Sequence, residues 1–241
     1  MRLRYALPLL CCLLACLLAA APALQCQEFS AWIPSTDRTD NPLIRELLSS
    51  GSLGERLAVA EALGARGDAY IGDLLESLLA GLSGPARPEG ELLLRVMLAS
   101  VFPPSLSAEE LERRLGPNRQ AIELLAESVP GFGAPLARET CRVLARAIGT
   151  GGGGGLKGAL MAEGRRLAEA LGERSGYSDS EEADRLAAFL EAVETIADPV
   201  FADIVVRILE TTRTRELGRY ARFVLARILP GAEQPPPESS R

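Results

Sequence analysis

The stretch Arg56–Leu79, RLAVAEALGARGDAYIGDLLESLL, decides the fold. Two apolar-periodic segments flank a break at Gly67-Asp68. In the second, Ile71, Leu74, Leu75, Leu78 and Leu79 follow the i, i+3, i+4, i+7, i+8 rule of an amphipathic helix. In the first, Leu57, Ala60, Ala62, Leu63 and Ala65 are expected to face a partner. The pattern predicts two short antiparallel helices joined by a tight turn, neither able to bury its apolar stripe alone.

Working outward, similar segments recur and no stretch shows β alternation. Ser52 with Glu55, and Ser107 with Glu110, have capping-box spacing at helix starts. Asn41-Pro42 opens a helix that Gly51 ends. Helices are predicted over 91–102, 107–115, 118–129, 134–148, 156–171, 180–196, 199–211 and 215–229, with stops at Pro103-Pro104 and Gly116-Pro117.

Internal similarity accompanies this rhythm. A shift of 130 positions lays Leu63 on Val193, Asp68 on Asp198, Asp73 on Asp203, Leu74-Leu75 on Ile204-Val205 and Leu78 on Ile208. A shift of 81 lays Leu136 on Leu217, Arg138 on Arg219 and Val143-Leu144-Ala145-Arg146 on Val224-Leu225-Ala226-Arg227. These shifts approximate three and two units of roughly 40–47 residues, the period of helical-hairpin repeats.

Leu57-x-x-x-Glu61-Ala62-Leu63-Gly64, then Gly67-Asp68, then Ile71-x-x-Leu74-Leu75-x-x-Leu78, resembles a HEAT repeat of the kind that also occurs in bilin lyases. Ala192 to Leu209, with Asp198-Pro199 at the turn, resembles a second copy. The resemblance implies an all-α fold, a short α-solenoid of HEAT-like hairpins presenting a groove to a partner, most often a protein. Pro103-Pro104, the glycines at 151–155 and the short helix after Ser107 depart from the pattern.

The amino terminus bears on the compartment. Arg2 and Arg4 precede an apolar run closed by Ala21-Pro22-Ala23, the form of a secretory signal peptide over 1–23. The alternatives are a membrane-spanning helix and lipoprotein processing, with Cys16 after Leu13-Leu14-Ala15, or Cys26, as the lipidated tether. Removal of 1–23 takes the formal charge from −6 to −8 and leaves only Cys26 and Cys141. Such a chain is stabilised by its core, not by a disulfide framework. The expected organisation is leader, polar tether over 24–41, solenoid over 42–229, and an extended Pro-rich tail over 230–241.

The chain has no histidine. Triads built on imidazole and imidazole metal sites are therefore excluded. An enzyme would have to run on carboxylates such as Asp68, Asp73, Asp198 and Asp203, whose recurrence at equivalent positions equally suits turn and cap roles. Cys141, beside Arg138 and Arg142, reads either as an activated nucleophile or tetrapyrrole attachment point or as a small core residue. The run from Gly149 to Gly158 lacks the residue order of a phosphate-binding loop and reads as a flexible linker. The acidic run from Ser178 to Asp184 suits a helix start without any ion. No cofactor or metal is expected.

Arginine is the remaining signal. Arg138, Arg142 and Arg146 recur at i, i+4, i+8, a like-charged stripe costing a few tenths of a kcal/mol per pair. Arg215, Arg219 and Arg222 form a second stripe. These six are the candidate binding residues, facing an anionic partner, which is another protein with an acidic surface or else an envelope polymer or lipid headgroups, unless neighbouring carboxylates pair them. Net negative charge argues against nucleic acid. The expected function is an exported protein-binding or scaffold module of the cell envelope; the rivals are a carboxylate-based envelope enzyme and a lipid-anchored structural protein.

Overall fold

The computed structural model describes residues 52–66, 70–80, 82, 87–151, 153–173 and 180–229. The leader, the tether, the predicted helix after Asn41, the Pro-rich tail, Cys16, Cys26 and Asp68 lie outside them. The fold is all-α, with no strand among the described residues. Its helices are α1 (Leu53–Arg66), α2 (Tyr70–Ala80), α3 (Arg87–Val101), α4 (Ala108–Ser128), α5 (Ala134–Gly149), α6 (Gly154–Glu173), α7 (Ser180–Ile196), α8 (Ala202–Thr211) and α9 (Arg215–Ile228). The chain divides into two compact units at Pro104 and Ser105, next to the Pro-Pro break.

The amino-terminal unit starts with the predicted capping box. Glu55 N donates to Ser52 Oγ at 3.3 Å and Ser52 N donates to Glu55 Oε2 at 3.2 Å, satisfying two amides that the first turn leaves orphaned. The buried face of α1 carries Arg56, Val59, Ala60, Leu63 and Gly64, while Ala62 and Ala65 are exposed. The expected face was thus rotated by a small-residue count, since alanines scatter round the helix and only Val59 and Leu63 carry large apolar area. The main packing of α1 is against α3, two helices on, with α2 also against α3. Gly64 permits that approach: a Cβ there would lie 2.5 Å from Ser100 Cβ and 3.0 Å from Met97 O.

In the carboxyl-terminal unit, α5 packs on α7 and α7 on α9, while α4 packs on α6 and α6 on α8. Contacts of α4 with α5, α5 with α6, α6 with α7 and α8 with α9 join these two series. The core holds Leu136, Val143, Leu144, Leu160, Leu186, Phe189, Val193, Phe201, Val205, Ile208 and Val224, each at most 1% exposed. Each large side chain so buried contributes roughly 1.5–3 kcal/mol of transfer free energy. Phe189 and Phe201 meet edge to face, centroids 6.4 Å apart.

Two predicted boundaries are corrected. Helix α4 runs unbroken through Gly116-Pro117, where a stop was expected. The proline removes one amide donor, but Asn118, fully buried beside it, donates Nδ2 to Arg114 O at 2.8 Å and supplies a bond in the same turn. The glycine tract is not a long linker, because α6 begins at Gly154 and takes in three of its glycines. What remains is a sharp turn, with Gly151 at φ 87° and Gly153 so close to Ile148 that a Cβ would sit 2.9 Å from its Cα.

Candidate functional site

Helix α5 carries the first arginine stripe. Gly133 enters it in extended backbone and Pro135 sits in its first turn, where a missing amide costs nothing. Its arginines mostly bind within the protein. Arg142, half-buried, donates Nε to both oxygens of Glu139, at 3.2 and 3.1 Å, one turn back. Arg146 donates Nη2 to Leu106 O at 2.7 Å, and burial followed by the charge of Arg142 holds its pKa below the ordinary arginine value. Arg138 is exposed and stands 3.7 Å from Glu191 of α7. Pairing by neighbouring groups thus accounts for this stripe.

Helix α9 differs. The chain leaves α8 through Thr212–Thr214, and Gly218 N closes the first turn on Thr214 O at 3.0 Å. Gly218, Ala221, Val224 and Ile228 are buried against α7 and α8. At 100° per residue, Arg222, Arg215, Ala226, Arg219 and Phe223 lie side by side on the opposite arc, all exposed. Among the described residues, Arg215, Arg219 and Arg222 have no carboxylate partner, unlike Arg207 and Arg227, which stand 4.0 Å from Glu169 and 3.8 Å from Glu194. Phe223, 51% exposed, is the most exposed large apolar side chain described. Its ring stacks on Tyr220, centroids 6.3 Å apart, and Tyr220 donates its hydroxyl to Glu194 Oε2 at 2.9 Å. Burial and that bond raise the pKa of the Tyr220 phenol, so it stays a donor. The ring pair is therefore anchored to α7, and Phe223, with its stacking, is the part of this face that an arginine count missed. An aromatic two residues from a buried Ala221, on the wrong phase for the core, was its sequence signal.

Of the candidate aspartates, Asp198 is engaged in structure, while Asp68 and the side chain of Asp73 lie outside what is described. Asp198 accepts from Val200 N at 2.9 Å and pairs with Lys157 Nζ at 2.5 Å, and these bonds, the lysine's first, hold its pKa below the usual value. It is a turn cap. Asp203 is exposed. Cys141 is buried, and burial together with the Glu163 carboxylate pushes its thiol up to about 12, the reverse of an activated nucleophile. Glu163 was unforeseen: only 2% exposed, it accepts from Arg166 at 2.7 and 2.8 Å and from Arg185 Nη2 at 3.1 Å. Arg185 also donates to the carbonyls of Val129 and Pro130, both at 2.9 Å, tying α6 and α7 to the turn after α4. Spacing shows the Glu163–Arg166 pair but not the burial, which tertiary packing creates.

A cleft of about 160 Å³ is lined by Leu115, Arg119, Ile122, Ala147, Thr150 and Leu156, below the roughly 300–1,000 Å³ of typical ligand sites. No cluster of three potential metal-ligating side chains occurs among the described residues. None of the helices described is long and apolar enough to cross a membrane.

No protein-family model matches this chain. Searches of curated proteins and of solved structures likewise find no match.

Proposed function

We propose that the protein is an exported protein-binding or scaffold module of the cell envelope, built as a short α-solenoid of HEAT-like hairpins. The observation that carries the binding reading is the exposed face of α9, whose arginines lack, among the described residues, the carboxylate partners that Arg138 and Arg142 of α5 have in Glu191 and Glu139.

The repeat reading is supported by the packing of helices two apart, α5 on α7 on α9 and α4 on α6 on α8, which is how stacked hairpins meet. The internal shifts support it too. A shift of 130 carries the end of α1, Arg66, onto the end of α7, Ile196, and a shift of 81 carries the start of α5, Ala134, onto the start of α9, Arg215. Both map odd-numbered helices onto odd-numbered ones, as a two-helix repeat requires. Export rests on the basic, apolar and small-residue pattern of residues 1–23.

Photo-crosslinking tests the reading. A photoreactive residue is placed at Arg219 on α9, and at Arg165 and Glu109 elsewhere, in the tagged full chain in its own cells, and adducts are identified by mass spectrometry. One identified envelope protein captured at a defined position supports the module; no specific adduct from any position counts against it.

A further inference from the structure

Resting on the binding reading above, we infer that the α9 face is a docking surface for a short acidic peptide segment that carries one apolar anchor side chain. Charge complementarity sets the acidic character. Arg215, Arg219 and Arg222 are spaced at one turn each along a single arc, exposed and without carboxylate partners among the described residues, in a chain whose net charge is −6. Three guanidinium forks on one line match a row of carboxylates, which they bind bidentately.

The anchor follows from the apolar half of the face. Phe223 and Ala226, three residues apart on the same exposed arc, put an aromatic ring next to a small side chain, an apolar spot that one apolar side chain can cover. The ring is held before any partner arrives, by stacking on Tyr220 and by the bond from Tyr220 to Glu194 on α7. An exposed aromatic fixed in place beside arginines is the composition of a binding hot spot, since little side-chain entropy is left to lose. An anionic membrane surface fits less well. Of the remaining apolar residues of α9, Ala221, Val224 and Ile228 are buried inside the protein and Leu217 and Leu225 are half-buried, so Phe223 is the only large apolar side chain of this helix that stands exposed to insert, and the acidic chain as a whole is repelled by such a surface.

The test uses the full chain and three labelled twelve-residue peptides read by fluorescence anisotropy: Asp/Glu-rich with one central Leu, the same with that Leu replaced by Ser, and the first with its acids replaced by Asn and Gln. Protein variants are R219E/R222E, F223A and R165E, the last reversing an exposed arginine of α6; circular dichroism confirms that each is folded. The expected result is binding of the first peptide, weakened about tenfold or more by R219E/R222E and about fivefold by F223A, and unchanged in R165E. The two control peptides bind at least about fivefold more weakly. No binding of the first peptide, equal weakening in R165E, or sedimentation with phosphatidylglycerol vesicles without peptide binding each overturns the proposal. A partner crosslinked at another position, with no peptide bound here, refutes this surface while leaving the module reading intact.

Discussion

Two glycines of α6 receive the same substitution with opposite expected outcomes. Gly158 faces open space, with nothing within 4 Å of where a Cβ would stand. Changing it to alanine removes only the entropic penalty of glycine within a helix, so G158A stabilises by about 1 kcal/mol. Gly164 lies six residues on, where α6 meets α7 and α8. A Cβ there would stand 2.3 Å from Phe189 Cζ, 2.5 Å from its Cε2 and 3.0 Å from Ile204 Cγ2. Carbon atoms prefer roughly 3.5–4.0 Å, so the ring must retreat by more than about 1 Å. It has nowhere to go, being fully buried and edge-on to Phe201. Overpacking of this kind costs typically about 1–3 kcal/mol, and the closeness here argues for the upper end; offset by the same helix gain, G164A destabilises by about 2 kcal/mol. The pair therefore separates by about 3 kcal/mol. Urea unfolding followed by circular dichroism reads this as midpoints moving in opposite directions at unchanged slope. In an F189L background, which removes the colliding Cζ, G164A should recover at least about 1 kcal/mol. If G164A is as stable as the parent protein, α6 does not approach Phe189 this closely and the packing argument is wrong.

Ala197 ends α7 at φ 52°, a left-handed position that favours glycine, so A197G should raise stability by about 1 kcal/mol in the same urea assay, against the usual direction of an alanine-to-glycine change. Glu163→Ala leaves the charge of the largely buried Arg185 side chain without its carboxylate and should cost about 3 kcal/mol, whereas Glu163→Leu with Arg185→Met should recover most of it; comparable losses in both would show that the carboxylate is not what holds Arg185. Acid titration is expected to expose two depressed carboxyls. Hydrogen bonds from Arg113 and then Arg114 lower the pKa of Glu110 to about 2, and that from Lys157 lowers Asp198. A group depressed on folding gives stability that is fully present above its unfolded value and is lost as pH falls through the folded one. The melting temperature should thus fall as pH drops from about 4.5 towards 2, and less steeply in Glu110→Gln; equal slopes would remove Glu110 from the account.

What the sequence by itself determined is local: helix identity, caps and periodicity. The Ser52–Glu55 box formed as spaced, Asp198 became a cap, and α7 spans the predicted 180–196, because each depends on atoms within a turn or two of chain. Pro117 escaped prediction because α4 continues on both sides of it, with Leu111, Asn118, Ala121, Ile122 and Leu125 buried along its length, a packing invisible to a rule about proline. Tertiary structure decided the partners of Arg138 and Arg146, while that of Arg142, Glu139, lies one turn away in its own helix. The stripes of α5 and α9 read alike in sequence, yet Glu191 and Leu106, distant along the chain, meet the first and no carboxylate described meets the second. It also decided that Glu163 and Cys141 lie buried, since burial depends on which helices two places apart pack together, and no spacing within one segment encodes that.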